Sequence, residues 1–300
     1  MAEHILHGPD SEQWTVPEGV TEVTIECWGG EGGDGNGDTD DGAGGGGGYV
    51  KGDLSVTPGE TLHLVAGGDA YRGEDSGGFP NGGSGDVRGT NMEYQLVESG
   101  GGGGSSHVMQ GGSDRQNDVV IGAGGGGGGA AVSSGGGATN YDDGKRGGHA
   151  NGGDAPDTIE YEGGQGGESS KSDPTIGEDG NQEKKTKDGD AYLGASGGGG
   201  GGFNAGSRGI VDITFSRNDL NATGGGAGEQ YTLGVTNVTT KDNENTGNGK
   251  VKITYTEPVT VKYWDGSKWV SGRLKYWDGS KWVMANEISN FDGSQWQTTS

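Results

Sequence analysis

The chain has a single cysteine, Cys27, in 300 residues, so no disulfide can close within it. Basic residues are scarce, 20 Lys and Arg against 44 Asp and Glu, giving a net charge of −24. A surface of that sign repels phosphate backbones and excludes nucleic acid as a partner. No apolar run approaches the length of a bilayer span, so no membrane insertion is expected. The start, Met1-Ala2-Glu3-His4-Ile5, lacks the basic and apolar regions of a secretory leader. The expectation is a chain made in the cytoplasm that reaches the outside, if at all, in a particle released by lysis. Catalytic signatures are missing as well. The glycine runs carry no phosphate-loop lysine, no serine stands in a nucleophile elbow, and no histidine pair has metal-ligand spacing. We expect no enzyme. Hydrophobic residues make up only 27% of the chain, too few for a large apolar core. Either the chain is largely disordered, or backbone hydrogen bonding replaces side-chain packing.

Glycine fills the place of what is missing, with 74 residues. Six-residue runs occur at Gly124–Gly129 and Gly197–Gly202, five-residue runs at Gly44–Gly48 and Gly100–Gly104, and shorter ones at Gly135–Gly137 and Gly224–Gly226. Such runs make neither helix nor ordinary strand, having maximal backbone entropy to lose and no side chain to pack. Two readings are open. One is flexible linker. The other is a bundle of polyglycine helices with three residues per turn, whose outward-pointing backbone groups bond to neighbouring rods. Six residues then span roughly 19 Å at about 3.1 Å each. The runs have similar lengths, hold almost no serine, and abut apolar strand-like segments such as Val119–Ile121. These features favour ordered rods.

Strand patterns flank the runs. Val23, Ile25 and Cys27 alternate with Glu22, Thr24 and Glu26 after a Pro17-Glu18-Gly19 turn. Leu54-Ser55-Val56 and Thr61-Leu62-His63-Leu64-Val65, around Thr57-Pro58-Gly59, read as a hairpin. Strands return at Gly209–Phe215 and Gly249–Thr256. The fold class is therefore all-β: a small antiparallel sandwich at the two ends of residues 1–257, a layer of polyglycine II helices inserted between them, and polar loops at the rod tips. Residues 258–300 form a separate tail. There Val261–Val270 returns as Leu274–Val283, each containing Lys-Tyr-Trp-Asp-Gly-Ser-Lys-Trp-Val, with a degenerate third copy at Asn290–Trp296. Asp-Gly between aromatic flanks signals hairpins, with Trp264 near Trp269 and Trp277 near Trp282. The tail holds five cations and four acids, so its charge is +1 and the first 257 residues carry −25.

The opening Trp14-Thr-Val-Pro-Glu-Gly-Val-Thr-Glu-Val-Thr-Ile-Glu-Cys-Trp-Gly-Gly resembles the start of the glycine-rich β-domains of virus tail proteins. So do the run-then-strand Gly44–Val50, the segment Leu54–Leu62, and the close Gly247-Asn-Gly-Lys-Val-Lys-Ile-Thr-Tyr255. The tail repeats resemble short repeats near the ends of such proteins. The resemblance implies a layered polyglycine bundle with receptor-binding loops, a homotrimer, other virion tail proteins as partners, and a host surface glycoprotein or glycan as receptor. Scattered acid with little lysine adds the expectation of a halophilic host, because concentrated salt screens self-repulsion. The expected class is a tail fibre or tail-tip adhesin of the virion. The alternatives are a capsid decoration or turret protein and, third, a glycan-degrading tail enzyme.

Candidate residues follow from loop chemistry. Tyr141, Asp142, Asp143, Lys145, Arg146 and His149 combine a stacking ring, acceptors and donors in one loop between glycines. Tyr71, Arg72 and Phe79 form a second receptor-binding set. Trp264, Trp269, Trp277, Trp282 and Trp296 make a virion-docking surface or a glycan platform, an indole face being able to stack on a pyranose. Asp34, Asn36, Asp38 and Asp41 approximate the alternating oxygen ligands of a Ca2+ loop, although Thr39 and Gly45 stand where that loop needs glycine and glutamate. A solvated acidic tip is the other reading of that stretch.

Overall fold

The structure, a computed structural model, describes residues 1–37, 40–71, 77–89, 96–134, 140–141, 175–187, 190–214, 219–258, 260–285, 288–291 and 296–299. The described residues contain strands and no helix, so the all-β class holds. Two five-stranded antiparallel sheets face each other. The first runs, in order across the sheet, Ala2–His7, Lys250–Tyr255, Glu22–Trp28, Gly47–Ser55 and Thr236–Asn245. The second runs Tyr231–Thr232, Val119–Ala123, Ser106–Gln110, Thr61–Ala66 and Asp10–Thr15. Between them lies one apolar core, including Val23, Ile25, Cys27, Leu62, Leu64, Ile121 and Ile253. Alternation explains it: Val23, Ile25 and Cys27 point inward and are at most 1% exposed, while Glu22 points to solvent and Thr24 and Glu26 are half-buried. Burial, with Glu26 adjacent, pushes the Cys27 thiol far up, so it is a packed apolar residue and not a nucleophile.

Leu54–Leu64 is not a hairpin. The Thr57-Pro58-Gly59 turn carries the chain from the Gly47–Ser55 strand of one sheet to the Thr61–Ala66 strand of the other. The Pro17-Glu18-Gly19 turn does the same between Asp10–Thr15 and Glu22–Trp28. The two crossings are tied together, Val16 N–H donating to Glu60 C=O and Gly59 N–H to Val16 C=O, both at 2.9 Å. Each sheet presents one apolar face, so alternation alone allows either pairing. A further departure is the edge strand Ala2–His7, which the sequence reading passes over.

Several sandwich strands run straight into glycine. Glu22–Trp28 leads into Gly29, Thr61–Ala66 into Gly67, and Val119–Ala123 into Gly124. The runs Gly44–Gly48 and Gly100–Gly104 lead into Gly47–Ser55 and Ser106–Gln110. The glycine layer is therefore stacked on one end of the sandwich. Its residues are mostly buried and bond to each other through backbone alone. The run Gly124–Gly129 is central. Gly125 and Gly128 donate to Gly201 and Gly198, both at 2.8 Å, and Gly126 and Gly129 donate to Gly30 and Gly33, at 3.0 and 2.9 Å. Gly124 and Gly127 accept from Gly48 and Gly45, Gly125 and Gly128 from Gly228 and Gly225, and Gly126 and Gly129 from Gly103 and Gly100. Five other segments thus surround this run, and each partner returns at every third residue. The run Gly197–Gly202 repeats the rule, its amides meeting Thr223, Gly100, Glu178, Gly226, Gly103 and Thr175 in turn.

Beyond the layer the chain forms short strands instead of loops alone. Ala131–Ser134 follows Gly129 after one residue, Ala130, and pairs with Asp190–Ala195, which pairs in turn with Gln182–Lys187. Small apolar clusters sit there, one of Val97, Ala131, Leu193 and Ala195, another of Ala130, Ile213 and Ala222. The basic stretch Lys184–Lys187 lies in this sheet, and Lys185 Nζ donates to the Ile213 carbonyl.

Candidate functional site

The Trp repeats fold as two successive hairpins, Thr260–Trp264 with Trp269–Arg273 and Lys275–Trp277 with Trp282–Met284. Local chemistry fixes each one. Asp265 Oδ1 accepts from the Ser267 amide at 2.8 Å, the Ser267 hydroxyl at 2.8 Å and the Lys268 amide at 2.9 Å. Asp278 repeats this with Ser280 and Lys281. The Lys268 amide first, then the amide and hydroxyl of Ser267, hold the Asp265 carboxyl below its usual range, and Asp278 is lowered in the same way. The aspartate is the first residue of the four-residue turn and caps it from within, its own amide donating to the Lys268 carbonyl at 3.1 Å. Gly266 and Gly279 take the corner at φ 102° and 103°, a conformation that suits glycine and the hairpin twist.

That turn sets the indoles opposite one another. Trp264 faces Trp269 with ring centroids 5.9 Å apart at 65°, and Trp277 faces Trp282 at 5.8 Å and 67°. The edge-to-face geometry contributes about 0.5–1.5 kcal/mol per pair, yet all four rings stay more than half exposed. Tyr263 and Tyr276, each 53% exposed, stand on the opposite faces of the same strands. Lys262 and Lys275 share the indole faces, two residues before Trp264 and Trp277. These tyrosines and lysines escaped the sequence reading, although the period of two within the repeat places them. The hairpins touch the sandwich at its crossing turns. Arg273 donates to the Glu18 carbonyl, and a groove of about 380 Å³ separates Glu18, Thr21 and Pro58 from Lys275, Lys281 and Trp282. The third copy pairs Ile288–Phe291 with Trp296–Thr299, Phe291 opposite Trp296.

The other candidate positions are dispersed. Tyr71 is 70% exposed beside a groove with Glu31, Asp34 and Asp69, and its carbonyl accepts from Gly101 at 2.8 Å. Phe79 is 43% exposed and its carbonyl accepts from Gly68. Tyr141 lies in a short strand parallel to Asp219–Ala222. Arg72, Asp142, Asp143, Lys145, Arg146 and His149 lie outside the described residues. The Ca2+ reading gains nothing. Asp34 accepts from the Gly44 amide at 2.8 Å, Asn36 is paired with Glu98 through backbone and side chain, and Asp41 sits in a strand against Ala131. Asp38 lies outside the described residues. Among the described residues no group of three or more His, Cys, Asp or Glu is set to hold a metal.

One polar cluster went unread in the sequence. Asn81, Ser105, His107 and Arg115 meet Phe203, Glu229 and Tyr231 where the sandwich joins the glycine layer. No periodicity or spacing could have gathered them, since they come from five separate segments. No family model and no curated protein matches the chain.

Proposed function

We propose that the chain is a structural, adhesive virion protein, a tail fibre or tail-tip component, with no catalytic role. The glycine runs act in it as polyglycine II helices, a reading supported by the return of each hydrogen-bond partner at every third residue. Rods satisfied chiefly through backbone leave the connecting loops free to vary, which suits host recognition. The observation that carries the proposal is the row of exposed Trp and Tyr on the tail hairpins. Among the described residues these near-neutral hairpins contribute no side chain to the sandwich core, so their aromatic faces are available to a partner. Tryptophan and tyrosine are the residues most enriched in interface hot spots. We assign the hairpins to docking on another virion protein, and host contact to the loops of the glycine-rich part.

Changing Trp264, Trp269, Trp277 and Trp282 together to threonine tests the assignment. The expected outcome is retained binding to host cells and incorporation into particles reduced at least tenfold, the equivalent of about 1.4 kcal/mol or more at the interface. Loss of cell binding with normal incorporation would reverse the assignment and make the indoles a glycan platform. Immunogold label on the head instead of the tail would transfer the chain to the capsid decoration class. The halophilic expectation has its own measurement. With −25 on the first 257 residues, the thermal midpoint should rise from low salt to molar KCl as repulsion is screened. A flat or falling midpoint would remove it.

A further inference from the structure

The cluster at the seam of sandwich and glycine layer is a chain of hydrogen bonds with a defined direction. It begins at the Thr175 carbonyl, which can only accept. Asn81 Nδ2 donates to it at 2.6 Å, which fixes Asn81 Oδ1 as an acceptor. The Ser105 amide and hydroxyl both donate to that oxygen, each at 3.1 Å. With its proton committed, Ser105 Oγ can only accept from His107, whose Nδ1 lies 3.3 Å away. The imidazole proton therefore sits on Nδ1, and Nε2 presents a lone pair. His107 is 4% exposed, and Nε2 has no partner among the described residues. Arg115 Nη1 is also buried and has no partner among them.

Both orphaned atoms belong to side chains that line one cavity of about 20 Å³. That is room for one water-sized group, which needs roughly 10–15 Å³. The chemistry of the occupant follows. His107 Nε2 needs a donor, and Arg115 needs an acceptor. A halide or a carboxylate cannot donate to Nε2, and an ammonium cannot accept from the guanidinium. A hydroxyl does both. The half-buried Phe203 and Tyr231, stacked at 3.8 Å and 9°, stand on the cavity with half-buried Glu229 and form its outer wall.

We propose that this cavity is a hydroxyl-binding site, in which one O–H donates to His107 Nε2 and accepts from Arg115, supplied by an enclosed water or by the hydroxymethyl arm of a saccharide. The site stands whether or not the chain is an adhesin.

The test uses the full chain labelled with 15N and long-range correlation of the His107 ring at neutral pH. The expected result is the Nδ1–H tautomer, with the Nε2 resonance moved in the direction of an accepted hydrogen bond. Two probes separate the sources. Methyl α-D-glucopyranoside should move Nε2 saturably if the arm of a saccharide is the occupant, and methyl α-D-xylopyranoside, which lacks that arm, should not. Arg115→Gln should then weaken the glucoside about tenfold, the cost of roughly one charge-assisted bond, without changing the tautomer. If neither probe acts and the His107 ring protons show cross-relaxation with water, the occupant is an enclosed water. An Nε2–H tautomer, or an Nε2 frequency of a free lone pair, overturns the proposal. So does an Nε2 shift insensitive to probes and silent toward water that vanishes in Arg115→Gln, because the guanidinium then bonds the imidazole directly.

Discussion

Replacing Gly127 by alanine should remove most or all of the stability of the fold. An alanine Cβ there would lie 1.9 Å from the Gly225 carbonyl oxygen, 2.6 Å from its carbon and 2.9 Å from the Gly226 oxygen. All three are backbone atoms of one neighbouring run, Gly224–Gly226, so no side chain can swing aside. Relief requires the runs to separate. Separation breaks the bonds from Gly225 to Gly128 and from Gly228 to Gly125, at 2.9 and 3.0 Å. Each buried peptide group left unpaired costs about 1–3 kcal/mol, and overpacking adds about 1–3 kcal/mol. The sum, roughly 4 kcal/mol or more, rivals the 5–15 kcal/mol that holds a typical domain together. Gly111→Ala is the control. It has positive φ, 87°, with nothing within 4 Å of the added atom, and should cost only the 1–2 kcal/mol of a left-handed residue. Denaturant midpoints compare the two. In the unmodified chain, the amides of Gly125, Gly126, Gly128 and Gly129 should exchange with solvent as slowly as those of Val119–Ala123. Equal midpoints for the two variants, or fast exchange in the run, would return the glycine segments to the status of linker.

That contrast also shows where the sequence is informative. Purity and length of the runs point to order, but not to the neighbours each run has, because glycine carries no side chain to encode a partner. Only the backbone lattice does so, and it depends on all the runs at once. The strands are different. Glu22–Trp28 can be read from its alternation, and the facing of Trp264 and Trp269 from the Asp-Gly turn. The route between sheets cannot be read, because Thr57-Pro58-Gly59 turns the chain equally well within a sheet or across the sandwich. Of the candidate sites, the aromatic hairpins are legible because they are local repeats. The His107 cavity is not, because Asn81, Ser105, Thr175 and Tyr231 meet only after the glycine layer has formed.

The second large effect concerns acid. Burial first, and then the charge of Arg115, lower the His107 pKa to about 3. An unfolded histidine titrates near 6.5. The folded state therefore requires a neutral ring, while the unfolded chain takes up the proton as pH falls below about 6.5. Stability from this residue is complete above that pH and is lost progressively down to about pH 3. At about 1.36 kcal/mol per pH unit, the loss between pH 6.5 and 4 is about 3 kcal/mol. His107→Gln isolates it. The variant should be less stable than the parent at pH 7.5, by about 1–3 kcal/mol for disturbed packing and hydrogen bonding. That deficit should shrink with acid and vanish or change sign near pH 4. The many carboxylates titrate in both proteins and cancel in the difference. Two charged side chains line the cavity, Arg115 and Glu229. Arg115 opposes an imidazolium, and Glu229, whose carboxylate accepts from Asn204 Nδ2 at 2.5 Å, would favour one. If Glu229 were to dominate, the ring would charge within the fold and the deficit would stay constant from pH 7.5 to 4. Paired denaturation curves across that range distinguish the two, and a constant deficit would mean that His107 is not held neutral.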